Sequence, residues 1–336
     1  SRVWVKEIDW SNSSAFVLTP LADGSLYFSG RSGNAIVGIK YNADGTEAWK
    51  TSVPGIAGQV NTANVNSNGQ LTLTTRNFAA VQFNTNGTIN WTAPVSIPGQ
   101  TITASDMHIA KDGSVYINGN TAQDDMVIVK LDTAGKMQWY KTYGDQDRSE
   151  RSYTVKSFSD GGVALVGYSL AINGDIHNVI QKYSADGELL WNVKSDNMRY
   201  YNDFHIDADD KVYILNQEII DPSAHKIVSV FFPVGALLTF DKNGENKNEE
   251  YFIGPEYSEF YGRRLVPNSN NKLLVAGTVA DQSFYRGLYF FETEHKSTLG
   301  LSDNLPVDSK NDVLGQNYPN PVSSITTIPF TLTNGG

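Results

Sequence analysis

One phrase recurs along this 336-residue chain and limits what it can fold into more than any other feature. It reads as an apolar strand, a turn of Asp or Asn closing on Gly, and a strand with Trp four residues past the Gly. Four copies are strict: Tyr41 to Gly45 with Trp49, Phe83 to Gly87 with Trp91, Leu131 to Gly135 with Trp139, and Tyr183 to Gly187 with Trp191. A fifth, Phe240 to Gly244, carries Tyr251 as a looser stand-in. A second turn precedes each copy, at Asp23-Gly24, Asn68-Gly69, Asp112-Gly113, Asp160-Gly161, Asp209-Asp210 and Asn270-Asn271. These turns lead into alternating strands such as Ser25 to Ser29 and Ser114 to Asn118, the period-two pattern of a pleated ladder.

Two hairpins per repeat make a unit of about 40 to 55 residues with four short antiparallel strands, which cannot bury both faces alone. The chain therefore reads as all-β, a six-bladed β-propeller with blades near 12–55, 57–96, 101–144, 149–196, 201–253 and 258–293. Trp4, Trp49, Trp91, Trp139 and Trp191 are expected to fill the wedges where neighbouring blades splay apart. The sixth repeat is short of an outer strand, and residues 2–10 resemble one, with Trp4 in the place of the repeated Trp. The N-terminal strand is thus expected to close the ring on the last blade and remove an exposed edge.

Aromatic residues at 11% and 29 glycines favour strands and tight turns, and helical runs of Ala, Leu, Glu and Lys are missing. A net charge of -10 excludes a nucleic-acid or anionic-membrane partner, since no basic stripe is present to displace counterions. With no cysteine there is no disulfide framework and no thiolate metal site. No apolar run approaches the ~18 residues that a membrane span needs. The chain opens at Ser1 without a charged and then apolar leader, so export implies a signal peptide already removed.

Motifs of catalysis are weak. His108, His177, His205, His225 and His295 lack metal-ligand spacing, and His108 and His205 fall at similar points of two inner strands, so a role in the repeat is expected and no metal site. No Gly-x-Ser-x-Gly elbow or phosphate-cradling loop occurs. Sialidases separate Asp from Gly by one residue in their repeated turn, whereas Asp44-Gly45 and Asp186-Gly187 are adjacent. Quinoprotein dehydrogenases repeat a Gly-to-Trp phrase, but on eight blades and around a cofactor site with no counterpart here; no cofactor is expected. Asp207, Asp209 and Asp210 are candidates for Ca²⁺, weighed against an ordinary solvated turn.

The Asp-Gly turns are tight and gather on one rim, while connections between blades and between second and third strands read as longer and variable. Binding residues collect on loops held by a rigid scaffold, so that rim is the candidate face. It offers Arg31, Arg76, Asp124, Asp125, Arg148, Arg151, Tyr168, Tyr200, Tyr201, Tyr257 and Tyr261, with the longest insertion at 216–234. Tyr beside Arg and Asp suits carbohydrate, whose ring face stacks on aromatics while its hydroxyls take polar partners. The competing reading is a solvated rim with Tyr packed between loops.

Lys111 to Asn120, continuing through Met126 to Gly135 and Trp139, resembles the bacterial SBBP β-propeller repeat, and Gly162 to Trp191 is similar. The likeness covers most of 12–293; the family's name implies seven blades against the six counted, and it carries no single activity. After a Ser-, Asp- and Asn-rich linker at 294–312, the segment 313–336 resembles the opening of the type A C-terminal sorting domain of Bacteroidetes type IX secretion cargo. Leu314, Asn317, Tyr318, Pro319, Asn320, Pro321, Thr327 and Ile328 carry that likeness. The prolines exclude a helix, and Thr326 to Leu332 alternates like the first strand of a sandwich. Family members run on for several more strands, so the sorting domain is expected to be truncated at Gly336.

The resemblance implies export across the outer membrane, the secretion machinery as partner, and an extracellular or cell-surface location. Asp132-Thr133-Ala134 matches the short Bacteroidetes O-glycosylation pattern at Thr133, on a turn expected to be exposed. The function expected is a non-enzymatic binding module for glycan or protein. The alternative is an extracellular polysaccharide hydrolase or lyase using the same face.

Overall fold

The computed structural model of the protein describes Val5 and residues 16–195, 198–220, 232–245, 247–252, 259–267, 272–280, 286–296, 313–314 and 330–331. Among these the chain forms a β-propeller of six antiparallel sheets. Blade one holds β1 (Phe16–Pro20), β2 (Leu26–Ser32), β3 (Ala35–Tyr41) and β4 (Glu47–Pro54); blade two β5 (Val60–Val65), β6 (Leu71–Thr75), β7 (Ala79–Phe83) and β8 (Ile89–Pro94). Blade three holds β9 (Ile102–Ile109), β10 (Val115–Thr121), β11 (Met126–Leu131) and β12 (Met137–Tyr143); blade four β13 (Arg148–Ser157), β14 (Val163–Ala171), β15 (Ile176–Tyr183) and β16 (Leu189–Ser195). Blade five holds β17 (Met198–Ile206), β18 (Val212–Ile220), β19 (Phe232–Phe240) and β20 (Asn248–Phe252). Blade six has three described strands, β21 (Glu259–Pro267), β22 (Lys272–Ala280) and β23 (Arg286–Lys296). The first strands of successive blades pack on one another and form the inner ring; the fourth strands lie at the rim.

The tight turns come from a five-residue loop with a fixed hydrogen-bond pattern. In Asp132 to Lys136, the Asp132 amide donates to the Lys136 carbonyl (2.9 Å), the Gly135 amide to the Asp132 carbonyl (3.0 Å), and Asp132 Oδ1 accepts from Ala134 and Lys136 (3.0 and 2.9 Å). Asn66, Asp207 and Asp241 open their loops in the same way, while Asp23, Asp112 and Asp160 stand third in theirs, and from either place the side chain satisfies amides that the turn leaves unpaired.

Five apolar clusters each bridge two consecutive blades, which is why no blade is stable alone. Tyr27 and Ile36 of blade one meet Leu71, Leu73 and Phe83 of blade two. Phe78 and Trp91 of blade two meet Ile117 and Val129 of blade three. Tyr116 and Ile128 join blade three to Leu165 and Val179 of blade four. Val166 and Ile180 join blade four to Phe204 and Ile214 of blade five. Tyr213 and Leu237 carry the core from blade five to Leu265 and Val275 of blade six.

The rim tryptophans tie the same neighbours together. In each of the first four blades one outer-strand residue bulges between the turn and the Trp, which aims the indole at the next blade. Trp49 Nε1 donates to the Thr85 carbonyl (2.9 Å), Trp91 to Thr133 (3.0 Å), Trp139 to Ala185 (3.0 Å) and Trp191 to Lys242 (3.0 Å). Each indole lies flat on the Gly two residues beyond that acceptor. A Cβ on Gly87 would stand 2.6 Å from Trp49 Cδ2, and one on Gly135 2.6 Å from Trp91 Cδ2. Trp4 lies outside the described residues.

A second compact unit spans Leu299–Gly336. Its described part is one two-stranded pairing, β24 (Val313–Leu314) with β25 (Phe330–Thr331). Leu314 is on β24, while Asn317, Tyr318, Pro319, Asn320, Pro321, Thr327 and Ile328 lie outside the described residues. No helix among the described residues is long and apolar enough to cross a membrane.

Candidate functional site

The inner ring carries a repeated irregularity. In blades two to six the inner strand bulges by one residue, at Asn61, Ser105, Tyr153, Asn202 and Arg263. A bulge re-aims the side chains beside it and is common next to functional sites. Its spacing is readable once the repeats are aligned: Asn61, Ser105, Tyr153 and Asn202 each stand eight residues before the last residue of the turn, Gly69, Gly113, Gly161 and Asp210.

Tyr153 is the informative bulge. Its ring stacks on Tyr201 of blade five (centroids 4.9 Å apart, 15° between planes) and leans on Tyr168 of its own blade (5.4 Å). Beside it the Thr154 hydroxyl donates to Asp106 Oδ2 of blade three (2.7 Å) and shares a hydrogen bond with the Tyr201 phenol. Burial raises the Asp106 carboxyl above its ordinary range, and burial pushes the Tyr201 phenol well up. Asp203 accepts the Leu265 amide of blade six (2.9 Å), with Arg264 at 3.8 Å. Tyr153, Thr154, Asp106, Asp203 and Arg264 were not singled out from sequence, because alternation inside an inner strand resembles that of any core strand.

Towards the Asp-Gly rim the ring holds two imidazoles around Lys156. His108 Nε2 lies 2.9 Å from Ser157 Oγ, and burial followed by the Lys156 charge lowers its pKa to about 4. Burial and Lys156 also lower His205. The two occupy equivalent places, His108 opposite Tyr116 and His205 opposite Tyr213. Among the described residues no cluster of acids and histidines could hold a metal. Asp207 is occupied by its own turn, accepting the Asp209 and Lys211 amides (3.0 and 2.9 Å) and the Tyr213 hydroxyl (3.0 Å), and Asp210 accepts from Ser159 N and Oγ of blade four (2.7 and 2.6 Å).

At the opposite rim, connections between second and third strands in blades one to four are only two to four residues long. Gly33, Phe78, Asp124 and Gly174 take positive φ there (56°, 58°, 67° and 86°), which folds the chain back within a few residues. The longer corresponding segment of blade five lies outside the described residues. Arg31 holds the blade-one to blade-two connection, donating to the carbonyls of Ile56 (3.0 Å) and Gly58 (2.7 Å). Arg148 donates to Ser169 Oγ (2.6 Å) and the carbonyls of Ser169 and Asp175 (2.9 and 3.1 Å), bracing the hydroxyl that donates to fully buried Glu150 (2.7 Å).

Arg151 pairs with Asp124 of the preceding blade at 2.8 Å, both partly exposed. Arg76 is exposed, and Asp125 donates its amide to Thr121 Oγ1 (3.1 Å). Tyr200 and Tyr261 sit on β17 and β21; Tyr257 lies outside the described residues. Thr133 is exposed on its turn, its carbonyl taken by Trp91. The structure thus brings together Tyr168, Tyr201 and, one blade across, Arg151 with Asp124, while Arg31 and Arg148 hold loops.

None of the curated proteins matches the sequence. Similar solved structures include a Bacteroides caccae protein of unknown function (12% identity, 82% of this chain and 92% of that chain, TM-score 0.43). BamB from Moraxella catarrhalis matches at 12% identity (83% and 99%, TM-score 0.38), and the polysaccharide lyase Uly1 at 10% (93% and 86%, TM-score 0.46). The PQQ_2 family model, described as "Outer membrane protein assembly factor BamB", matches residues 1–160 and 34–219, the stretch that holds all four strict turn-to-Trp repeats. The chain belongs to that PQQ_2 repeat family.

Proposed function

We propose that this protein is an exported propeller that binds a carbohydrate at the inner-ring wall formed by blades three to six. The observation that carries the reading is the Tyr153–Tyr201 stack with Tyr168 tilted beside it, a half-buried aromatic cluster bordered by hydroxyl, carboxylate and guanidinium groups. Sugar rings stack on such surfaces, and their hydroxyls take charge-assisted bonds. A glycan array with the purified protein tests it. Tyr153→Ala and Tyr201→Ala are each expected to weaken a bound glycan by about tenfold or more, the loss of one aromatic contact and its order, and Arg31→Ala to leave binding unchanged. Binding indifferent to both tyrosines sinks the site.

A second reading, a hydrolase or lyase on extracellular polysaccharide, is favoured by the Asp106–Thr154–Tyr201 relay, a buried carboxyl linked through a hydroxyl to a phenol. It expects oligosaccharide release that Asp106→Asn abolishes.

For the route, the Leu314-to-Ile328 pattern supports type IX export, with the C-terminal segment recognised by the secretion machinery and cut near the linker. Intact mass and location in wild-type and type IX-deficient cells decide it: retention of an uncut chain in the deficient cells is expected, and unchanged location overturns the route.

A further inference from the structure

We infer that the cleft between blades four and five at the Asp-Gly rim is a binding site for a neutral pyranose. It is separate from the inner-ring wall and does not rest on the reading of that wall.

The cleft follows from an alternation in the repeat. Three residues past the Gly of the inner turn stand Tyr27, Thr72, Tyr116 and Ala164 in blades one to four, paired with Lys40, Gln82, Lys130 and Lys182 of the next strand. The Tyr27 hydroxyl donates to the Gly69 carbonyl of blade two (2.8 Å), and the Tyr116 hydroxyl to the Gly161 carbonyl of blade four (3.0 Å). Each phenol thus crosses its junction and lies beside the Trp of its own blade (Tyr27 to Trp49 5.6 Å, Tyr116 to Trp139 5.9 Å between centroids). Thr72 and Ala164 are too short to cross.

A cleft opens at each of the two junctions that follow them. One of about 270 Å³ is lined by Gln82, Gly113 and Thr133, and one of about 410 Å³ by the residues at the equivalent places, Lys182, Asp210 and Lys242. In the first, the amides bind one another: Gln82 donates to Thr72 Oγ1 (2.9 Å) and accepts from Asn90 (2.7 Å), and Asn66 donates to Gln70 Oε1 (2.9 Å). Pockets for small molecules run from about 300 Å³ upward, which selects the second.

In the second cleft, half-buried Trp191 lies along the lining with its N–H on the Lys242 carbonyl (3.0 Å), and Leu190 beside it is 50% exposed. The buried Lys182 ammonium donates to Asp160 Oδ2 (2.8 Å) and to the Lys242 carbonyl (3.3 Å). Asp160 also accepts the Gly162 amide (2.8 Å), yet its half-exposed carboxylate keeps lone pairs for further donors. Both Asp210 oxygens are taken by Ser159, so Asp160 is the acceptor, and exposed Asn243 adds an amide that both donates and accepts. Lys182 and Lys242 balance Asp160 and Asp210, so a charged ligand meets no surplus of the opposite sign. A sugar ring, apolar on its faces and edged by hydroxyls that donate and accept, matches an indole bordered by such groups.

Titration of the full chain with methyl β-glucoside, methyl β-galactoside, methyl α-mannoside and glucuronate, followed at the indole N–H resonances, tests this. Trp191→Phe identifies the Trp191 peak by its loss. At about 50 mM, enough to fill a millimolar site, at least one neutral glycoside is expected to move that peak and glucuronate to bind no more tightly. Asn243→Ala, on an exposed turn, is expected to weaken the binding about fivefold, the loss of one hydrogen bond. Ala164→Tyr, which supplies the ring that blades one and three carry, is expected to abolish the movement; if it does not fold, Asn243→Ala decides. Tyr153→Ala is expected to leave the Trp191 movement unchanged, so failure here and failure of the inner-ring wall are read separately. No movement with any neutral glycoside, movement indifferent to Asn243→Ala, or tighter binding of glucuronate overturns the inference.

Discussion

At the scale of single residues, the Trp and the Gly of each junction stabilise in separable ways. Trp91→Phe keeps most of the apolar contact but leaves the Thr133 carbonyl without its donor, at a cost of about 1 kcal/mol. Gly135→Ala adds a Cβ that would stand 2.6 Å from Trp91 at a backbone φ of 77°, combining overpacking with strain at about 2–4 kcal/mol. Gly55→Ala, at φ 80° with nothing within 4 Å, carries the strain without the clash and is expected to cost about 1–2 kcal/mol. Urea denaturation of the three variants checks the order. An equal loss for both glycines would assign the whole cost to backbone conformation and none to the indole. The Gly-to-Trp spacing and the place of the Trp between blades were legible in the sequence, but not the docking of each indole on a turn Gly, since each residue of one phrase meets its counterpart in the neighbouring blade.

At the scale of the element, the inner strands set the response to pH. Burial and the Lys156 charge hold His108 at about 4 and His205 below its ordinary value. Both stay neutral in the folded chain, whereas in the unfolded chain they protonate near 6.5. Their share of stability is therefore fully present above pH 6.5 and is lost as pH falls towards 4. Asp106 works the other way: its raised folded pKa favours the folded chain in acid, and that share is lost as pH rises through the folded value. With two imidazoles against one carboxyl, the urea midpoint is expected to fall between pH 7.5 and 4.5. His108→Gln, which keeps a partner for Ser157, is expected to flatten that fall; an unchanged slope would place the pH dependence elsewhere. The alternation of these strands was readable from sequence, and so was the equivalence of His108 and His205. The bulges were not readable in any one strand, since an extra residue shows only against the strand it pairs with, and their common spacing emerges only after the structure has located them.

For the whole molecule, the propeller draws its stability from junctions between consecutive blades, and the segment after Leu299 forms a compact unit of its own. Removing residues 299–336 is accordingly expected to leave the Tm of the propeller within about 2 °C, the shift that a change of only about 1 kcal/mol produces in a domain of some 250 residues. Differential scanning calorimetry of the two lengths checks it. A large drop would mean that the C-terminal unit buttresses the ring.

The repeat, the six blades, the tight turns and the Trp wedges follow from local pattern, because turn chemistry and period-two alternation act within a few residues and recur at each copy. Net charge and the missing cysteines are likewise fixed by composition, and folding does not alter them. Folding settled which polar residues meet. Arg31 and Arg148 looked like a binding rim and became loop clamps, while Tyr153, Thr154 and Asp106 gathered into one wall. Thr154 and Asp106, joined by a hydrogen bond, stand 48 positions apart in the chain. Such neighbours come together only where stacked blades bring separate inner strands side by side, and no single repeat contains that contact.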